Sequence, residues 1–174
     1  AYPGTSGALV TRNNIYLPAG TWYDFWLDGG QPAVSWTGPI TIASYALGTG
    51  LAWRCPTFVR AGSIIPLMDT LQYIGEKPET CITIHLFPKG GPSSSSFTLY
   101  EDEGAAIWNT TYGWSEGYTT QPVKTALSYT FNGVRELYLT INAMSGTSRY
   151  CPSGPASRRY RVEIHGIGVA GEAW

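Results

Sequence analysis

Hydrophobic and polar residues alternate with a period of two along much of the chain. The alternation is clearest in residues 82–87, 137–142 and 160–165. Because successive side chains on a strand point to opposite faces, each of these segments predicts a half-buried β-strand. About nine such runs are present, and no long window repeats its apolar residues with a helical period. The pattern therefore predicts an all-β chain of the β-sandwich type.

Turns and loops between these runs are marked by glycine, proline and serine. Asn132-Gly133 separates two alternating runs and predicts a hairpin, since both residue types tolerate positive φ angles. Residues 89–96 include Gly90, Gly91 and four consecutive serines, so we expect an exposed loop there. A register that turns the isoleucines of these strands inward places His85 and His165 outward.

The character of the sequence changes near residue 75. The 174 residues suit one large or two small domains. Residues 71–80, which contain Gly75 and Pro78, form a candidate linker. We therefore predict two antiparallel β-sandwich domains in tandem, over residues 1–72 and 78–174.

Composition excludes several classes of partner. Charged residues make up 13% of the chain and the net charge is −1, so no basic surface for nucleic acid is expected. No apolar run approaches the roughly 18 residues of a membrane-spanning helix. Two histidines and three cysteines without Cys-x-x-Cys spacing predict no metal site and no cofactor. The cysteines allow one disulfide and one free thiol, or three thiols.

One triplet bears on cellular location. Asn109, with Thr110 and Thr111, matches the N-glycosylation acceptor pattern. Together with the cysteines, this triplet predicts the secretory pathway or the extracellular space. The first seven residues lack the basic and apolar regions of a signal peptide, so we expect the chain to be a piece of a longer protein.

Aromatic residues make up 14% of the chain and could serve burial or carbohydrate binding, because flat rings pack on the apolar faces of sugars. Trp108 and Trp114 bracket the glycosylation triplet and are the candidate carbohydrate-binding residues. In residues 22–26, alternation places Trp22 and Trp26 on one face, with Tyr23 and Phe25 on the other. We expect one face in a core and the other against a neighbouring domain, with a sugar-stacking platform as the alternative.

The charged residues offer little for catalysis. Retaining glycosidases need two carboxyl groups about 5–5.5 Å apart on opposite sides of the bond. On a strand Glu101 and Glu103 would lie about 6.5–7 Å apart and point the same way. We therefore predict no catalytic residue and interpret residues 101–103 as a solvated turn, with a cation site as the alternative. Asp24 is expected to order a turn or to pair with an arginine, and Arg60 to form a structural ion pair.

Four blocks of sequence carry a resemblance to a known family. They are IYLPAGTWYDFW (15–26), TFVRAGSIIPL (57–67), FTLYEDEG (97–104) and YRVEIHG (160–166). Their order and spacing resemble the proximal and distal C-terminal β-sandwich domains of glycoside hydrolase family 31, the α-glucosidase family. Against that pattern, residues 43–55 form an enlarged loop. The strand before the first block is shortened, which implies a sheet edge covered from outside this chain.

The resemblance implies a non-catalytic function. Family members hydrolyse α-glucosidic bonds with retention, using two carboxylates of a (β/α)8 barrel that precedes these domains. No barrel motif is present, so the chain alone is expected to be inactive, with the catalytic barrel of the parent enzyme as its partner. One alternative is a stand-alone carbohydrate-binding module that binds α-glucan or an oligosaccharide. Another is a proteolytic product that stays bound to its catalytic partner.

Overall fold

All regular structure described for this chain is β-strand. A computed structural model describes residues 10–26, 35–48, 55–73, 81–101, 123–145 and 159–166. These residues form β1 (Val10–Asp24), β2 (Ser35–Gly48), β3 (Phe58–Arg60), β4 (Ser63–Met68), β5 (Cys81–Phe87), β6 (Ser93–Glu101), β7 (Val123–Phe131), β8 (Leu137–Ile141) and β9 (Arg159–Ile164). The predicted all-β class is confirmed, while the packing of the sheets as sandwiches stays a prediction. Within the described ranges no helix is long and apolar enough to cross a membrane.

The chain divides into two compact units. The first comprises Ala1–Ser63, Phe87–Gly90 and Ile164–Trp174, and the second comprises Ile64–Leu86 and Gly91–Glu163. The first unit holds the sheet β2-β1-β3, and the second holds the sheet β6-β7-β8 and most of the sheet β4-β5-β9. Most of the candidate linker lies outside the described residues, so the division into domains 1–72 and 78–174 stays a prediction.

Strand β1 runs without interruption through Pro18, Ala19 and Gly20, a composition that is typical of a turn between two strands. Leu17 pairs with Ile40 and Gly20 pairs with Gly38, so β1 advances three residues while β2 advances two. The extra residue is a β-bulge, which absorbs the proline without breaking the strand. Gly20 has a φ of 133°, a conformation that L side chains rarely adopt.

The bulge changes which residues of β1 face the core of the first unit. Before it, the odd-numbered Ile15 and Leu17 contribute to the core, and after it the even-numbered Trp22 does. Because the side-chain period of a strand is two, one inserted residue exchanges the two faces. The bulge therefore keeps Leu17 and Trp22 on one side of the sheet.

Strand β7 is the clearest alternating strand of the second unit. Val123, Thr125, Leu127, Tyr129 and Phe131 are buried, while the residues between them are exposed or half-buried. β7 pairs antiparallel with β6 on one side and with β8 on the other. Ser93–Ser96, predicted to lie in a loop, are the first residues of β6 and pair with residues 128–131. Backbone pairing with β7 outweighs the low strand propensity of serine.

The predicted hairpin at Asn132-Gly133 is confirmed, with a loop of residues 132–136 between β7 and β8. The Asn132 side-chain oxygen accepts hydrogen bonds from the backbone N–H groups of Val134, Arg135 and Glu136, at 2.9, 3.0 and 3.1 Å. Gly133 has a φ of 86°. The single side chain of Asn132 thus binds three backbone N–H groups of the loop.

Candidate functional site

The sheet of the first unit carries a continuous apolar face, defined here by eight residues of β1, β2 and β3. Leu17, Ile42 and Tyr45 are buried, and the partly buried members packed against them are Ile15, Trp22, Trp36, Leu47 and Phe58. The Phe58 ring meets Trp36 edge to face, with ring centroids 5.3 Å apart, and meets Tyr45 at 5.5 Å. These rings hold one another in fixed positions, yet five members of the face keep part of their surface exposed.

The same sheet has an unpaired strand edge. β1 pairs with β2 along its whole length, but it pairs with β3 only through residues 22–24. Ala61 N–H donates to the carbonyl of Thr21 at 2.8 Å, which extends the contact by one residue. Within the described ranges, the other edge of residues 10–20 has no strand partner. The edge expected from the shortened first strand stays a prediction, since residues 1–9 lie outside the described part of the chain.

The end of β1 is fixed by hydrogen bonds of Tyr23, Asp24 and Trp26. Tyr23 donates its hydroxyl to the carbonyl of Pro88 at 3.0 Å. Asp24 is fully buried, and its Oδ1 accepts the backbone N–H of Trp26 at 2.8 Å, which confirms that Asp24 orders a turn. The indole N–H of Trp26 donates to the carbonyl of Cys55 at 2.7 Å. Trp26 is 42% exposed and lies beyond the end of the strand, so it does not share the strand face of Trp22 as predicted.

A second aromatic cluster of the first unit surrounds Tyr23. The Tyr23 ring lies 5.9 Å from Phe87, and Phe25 lies 6.3 Å from the same ring. His165 stacks on Phe87 with ring centroids 4.2 Å apart and an interplanar angle of 8°. Burial lowers the pKa of His165 below its usual value, because the apolar surroundings disfavour the charged imidazolium.

The outward placement predicted for both histidines is wrong, since His85 and His165 are each 8% exposed. β5 is the central strand of its sheet, and His85 is buried along with the isoleucines of the opposite face. Its Nδ1 lies 3.4 Å from Oε2 of Glu163. Burial lowers the pKa of His85, and the Glu163 carboxylate opposes that shift in part. On β9 the predicted inward residues Val162 and Ile164 are 43% and 48% exposed.

The remaining predicted residues are distributed as follows. Glu101 ends β6 opposite Val123, whereas Asp102, Glu103, Trp108, Asn109 and Trp114 lie outside the described residues. Arg60 is exposed and forms no ion pair within the part of the chain that is described, because the short edge strand β3 lets its side chain reach solvent. Cys55 and Cys81 are free thiols. The sequence reasoning missed Trp36 and Phe58 as members of the apolar face, although the two-residue period of residues 36–42 was visible.

The chain is similar to one known protein family and to two curated proteins. The model of the glycosyl hydrolase family 31 C-terminal domain matches residues 2–65. A 1,6-alpha-glucosyltransferase of Sporosarcina globispora is 31% identical over 156 residues, which cover 90% of this chain and 10% of that protein. An isomaltosyltransferase of the same organism is 31% identical over 140 residues, which cover 79% of this chain and 11% of that protein. The chain therefore spans about a tenth of the length of these curated relatives.

Solved structures agree with the sequence relatives. The GH31 dextranase of Flavobacterium johnsoniae, solved with glucose, superposes with a TM-score of 0.64 at 29% identity, covering 94% of this chain and 18% of that chain. The GH31 alpha-xylosidase of Xanthomonas citri shares the fold with a TM-score of 0.57 at 24% identity, covering 94% of this chain and 14% of that chain. The family model over residues 2–65 and the structure of the GH31 dextranase agree, so this chain is similar to the C-terminal domain region of glycoside hydrolase family 31.

Proposed function

We propose that this chain is the non-catalytic C-terminal part of a family 31 enzyme and that it supports the catalytic barrel. The observation that carries the proposal is the apolar face of the first unit, whose members Trp22, Trp36 and Phe58 are only partly buried. Large apolar side chains that remain partly exposed on a sheet are typical of a surface that another protein covers. The edge of residues 10–20 of β1, which has no strand partner within the described ranges, lies in the same sheet and supports the same role.

The aromatic members of this face supply much of the free energy of docking. Burying apolar surface contributes roughly 25 cal/mol per Å², so completing the burial of several large side chains supplies a few kcal/mol. Trp and Tyr are enriched among the residues that dominate binding at protein interfaces. A docking surface on the order of 1,000–2,000 Å² is sufficient for a stable association. The Trp36–Phe58 contact preorganises the anchors, so little side-chain entropy is lost on docking.

The parent enzyme is proposed to act on α-glucosides. This rests on the similarity to family 31 and on the names of two relatives, a 1,6-alpha-glucosyltransferase and a dextranase. Both names describe enzymes of α-glucan chemistry, which is the class we propose for the parent. The chain itself supplies position and rigidity, and the reacting carboxylates belong to the barrel.

A matched pair of charge substitutions tests the docking role. Ile40 lies directly across from Leu17 and is 37% exposed, so Ile40→Asp places a carboxylate on the apolar face. Thr41→Asp makes the same change one residue later, on the opposite face beside Tyr16. The two variants are produced together with the catalytic barrel, and retention of the barrel and hydrolysis of an α-glucoside are measured.

We expect Ile40→Asp to weaken barrel retention at least about tenfold, since an unpaired charge at a dry interface is costly. Thr41→Asp should behave like the unmodified chain. Equal retention of the barrel by both variants would contradict the proposal. So would α-glucoside hydrolysis by the chain alone that Glu101→Gln abolishes.

We also propose secretion of the parent and N-glycosylation at Asn109. The support is the acceptor triplet of the sequence. Protein made in a secretory host should lose mass on treatment with an N-glycosidase, and Asn109→Gln should remove that loss. An unmodified Asn109 in secreted protein would contradict this part of the proposal.

A stand-alone carbohydrate-binding module is the second candidate function. The observation that favours it is a face of the second unit on which Tyr100 and Tyr138 are 54% and 65% exposed. Such a role does not require the barrel, so the isolated chain can test it separately. The predicted residues Trp108 and Trp114 remain candidates for the same role.

A further inference from the structure

The outer surface of the sheet β6-β7-β8 is rich in hydroxyl groups and is called the hydroxyl face here. Antiparallel register places Tyr100 opposite Lys124, Thr98 opposite Ala126, and Ser96 opposite Ser128. Residues that lie directly opposite on paired antiparallel strands share a face. Defined by these three strands, the hydroxyl face comprises Ser94, Ser96, Thr98 and Tyr100 from β6, Lys124, Ala126, Ser128 and Thr130 from β7, and Tyr138 and Thr140 from β8.

The hydroxyl face is open along its whole extent. Nine of its ten members are exposed, and Ser128 at the centre is half-buried. The other side of the same sheet is the core side, where Val123, Leu127 and Phe131 are buried. The two sides of β7 thus differ completely in chemistry, although a single strand supplies both.

The chemistry of the hydroxyl face matches an uncharged, polyhydroxylated partner. Six Ser and Thr hydroxyl groups offer both donors and acceptors, and Lys124 is the sole charged residue of the face. One lysine cannot neutralise a row of phosphates, so a nucleic acid is a poor match. The face has no large aliphatic side chain, so it also lacks the apolar centre of a protein interface.

Two tyrosines stand at opposite corners of the hydroxyl face. Tyr100 lies beside Lys124, and Tyr138 lies beside Thr130 on the other flanking strand. Lys124 and Thr130 are six positions apart on β7, which corresponds to about 20 Å along the strand. The strands β6 and β8, which carry the two tyrosines, lie about 10 Å apart. Two aromatic rings at this separation, with hydroxyl groups between them, fit an extended chain of several sugar units. Each ring can pack on the apolar face of one sugar.

We propose that the hydroxyl face binds an α-glucan chain, with Tyr100 and Tyr138 as stacking residues at its two ends. The Ser and Thr hydroxyl groups between them hydrogen-bond the sugar hydroxyls, directly or through water. The choice of α-glucan as the ligand rests on the proposed function of the parent enzyme. The face itself is independent of the barrel, and its role is to hold polymeric substrate rather than to react with it.

Substitution of the two tyrosines tests the proposal on the whole chain. Electrophoresis in gels that contain dextran measures the retardation of the unmodified chain, of Tyr100→Ala, of Tyr138→Ala and of the double variant. Tyr16→Ala is the matched control, since Tyr16 is 62% exposed on a strand of the first unit. The core side of β7 is unchanged in every variant, and circular dichroism verifies that each one folds.

We expect dextran to retard the unmodified chain and the Tyr16→Ala control equally. The double variant should bind dextran at least about tenfold more weakly, because it loses both stacking contacts. Unchanged retardation of the folded double variant would overturn the proposal, and so would absence of dextran binding by the unmodified chain. Stronger retention by heparin than by dextran would also overturn it, because it would assign binding to charge.

The dextran experiment and the barrel-retention experiment can fail independently of each other. Ile40→Asp alters the first unit and leaves the hydroxyl face intact, so it should bind dextran normally. Loss of dextran binding in that variant would contradict the assignment of the glucan to Tyr100 and Tyr138. If the unmodified chain failed to retain the barrel but bound dextran normally, only the docking role would be contradicted.

Discussion

The imidazole of His165 lies flat on the ring of Phe87, with centroids 4.2 Å apart and ring planes 8° from parallel. His165 follows β9 directly and is 8% exposed, and the ring of Phe25 lies beside the stacked pair, 6.5 Å from His165 and 6.3 Å from Phe87. A histidine in this position contributes as a neutral aromatic ring. Protonation would place a charge where water is largely excluded, which is why the pKa of His165 is lowered.

Stability should therefore fall on mild acidification. The unfolded chain titrates its histidines near pH 6.5, while the folded-state pKa values of His165 and His85 are lower. Between the two values the unfolded state binds more protons, so this stability is fully present above pH 6.5 and is lost as the pH falls. Urea unfolding followed by tryptophan fluorescence should give a lower midpoint at pH 5.5 than at pH 7.5. His165→Gln should reduce that difference, and a midpoint that rises on acidification would contradict the assignment.

The stability of the first unit should depend on the hydrogen bond of Asp24 more than on its charge. Its Oδ1 accepts the Trp26 N–H, while its buried Oδ2 has no hydrogen-bond partner within the described part of the chain. Asp24→Ala removes the acceptor and should cost about 1–3 kcal/mol in the free energy of unfolding. Asp24→Asn keeps an acceptor oxygen of the same shape and should cost less. Chemical denaturation measures the free energy of unfolding of both variants. Equal losses of stability in Asp24→Ala and Asp24→Asn would show that the hydrogen bond is not the contribution that matters.

Thr125→Val should stabilise the second unit. Thr125 is fully buried on β7, and its hydroxyl has no hydrogen-bond partner among the described residues. Valine has nearly the same shape and removes an unsatisfied group, so a gain of about 1 kcal/mol is expected. Thr130→Val, on the exposed side of the same strand, is the control and should change stability by less than about 0.5 kcal/mol. A loss of stability in Thr125→Val alone would reveal a partner for that hydroxyl.

Gly166→Ala should destabilise the first unit. Gly166 has a φ of 71°, and a Cβ at this position would overlap the ring of Tyr23. The Tyr23 hydroxyl is bound to the carbonyl of Pro88, so the ring cannot move aside without losing that hydrogen bond. A loss of at least about 1–3 kcal/mol is expected from backbone strain and displacement together. Gly90→Ala is the control, because a Cβ there meets open space, and thermal melting of the two variants should differ clearly.

Strand positions were predictable wherever one face of a strand is buried. Residues 82–87 alternate in the sequence and form all of β5 except its first residue, and the Asn132-Gly133 signal locates the β7–β8 hairpin. Alternation does not reveal whether a strand is central or at an edge. His85 was placed outward for this reason, although β5 has neighbours on both sides and is buried on both faces.

Local turn preference was the weaker signal. Pro18-Ala19-Gly20 has turn composition, yet pairing with β2 holds these residues within a single strand. The serines at positions 93–96 have loop composition and pair with β7 in the same way. In both cases backbone hydrogen bonds to a neighbouring strand, which no local pattern encodes, determine the conformation.

The candidate surfaces were only partly visible in the sequence. The block of residues 15–26 pointed to the apolar face, while Trp36 and Phe58 join it through strand pairing. Tyr100 and Tyr138 are 38 positions apart and share a face only because both of their strands pair with β7. The alternation of Ser94, Ser96, Thr98 and Tyr100 is visible in the sequence. The residues of β7 and β8 that share their face can be identified only from the strand register.

The bulge at Pro18 and Ala19 gives β1 one residue more than β2 uses over the same stretch. Removing one residue there would leave Leu17 and Trp22 four positions apart, a spacing at which two residues of a regular strand share a side. Trp22 would keep the side shared with Leu17, and Tyr23 would keep its approach to Pro88. The bulge is therefore the place in β1 where the strand can lose one residue without exchanging the two sides of the sheet.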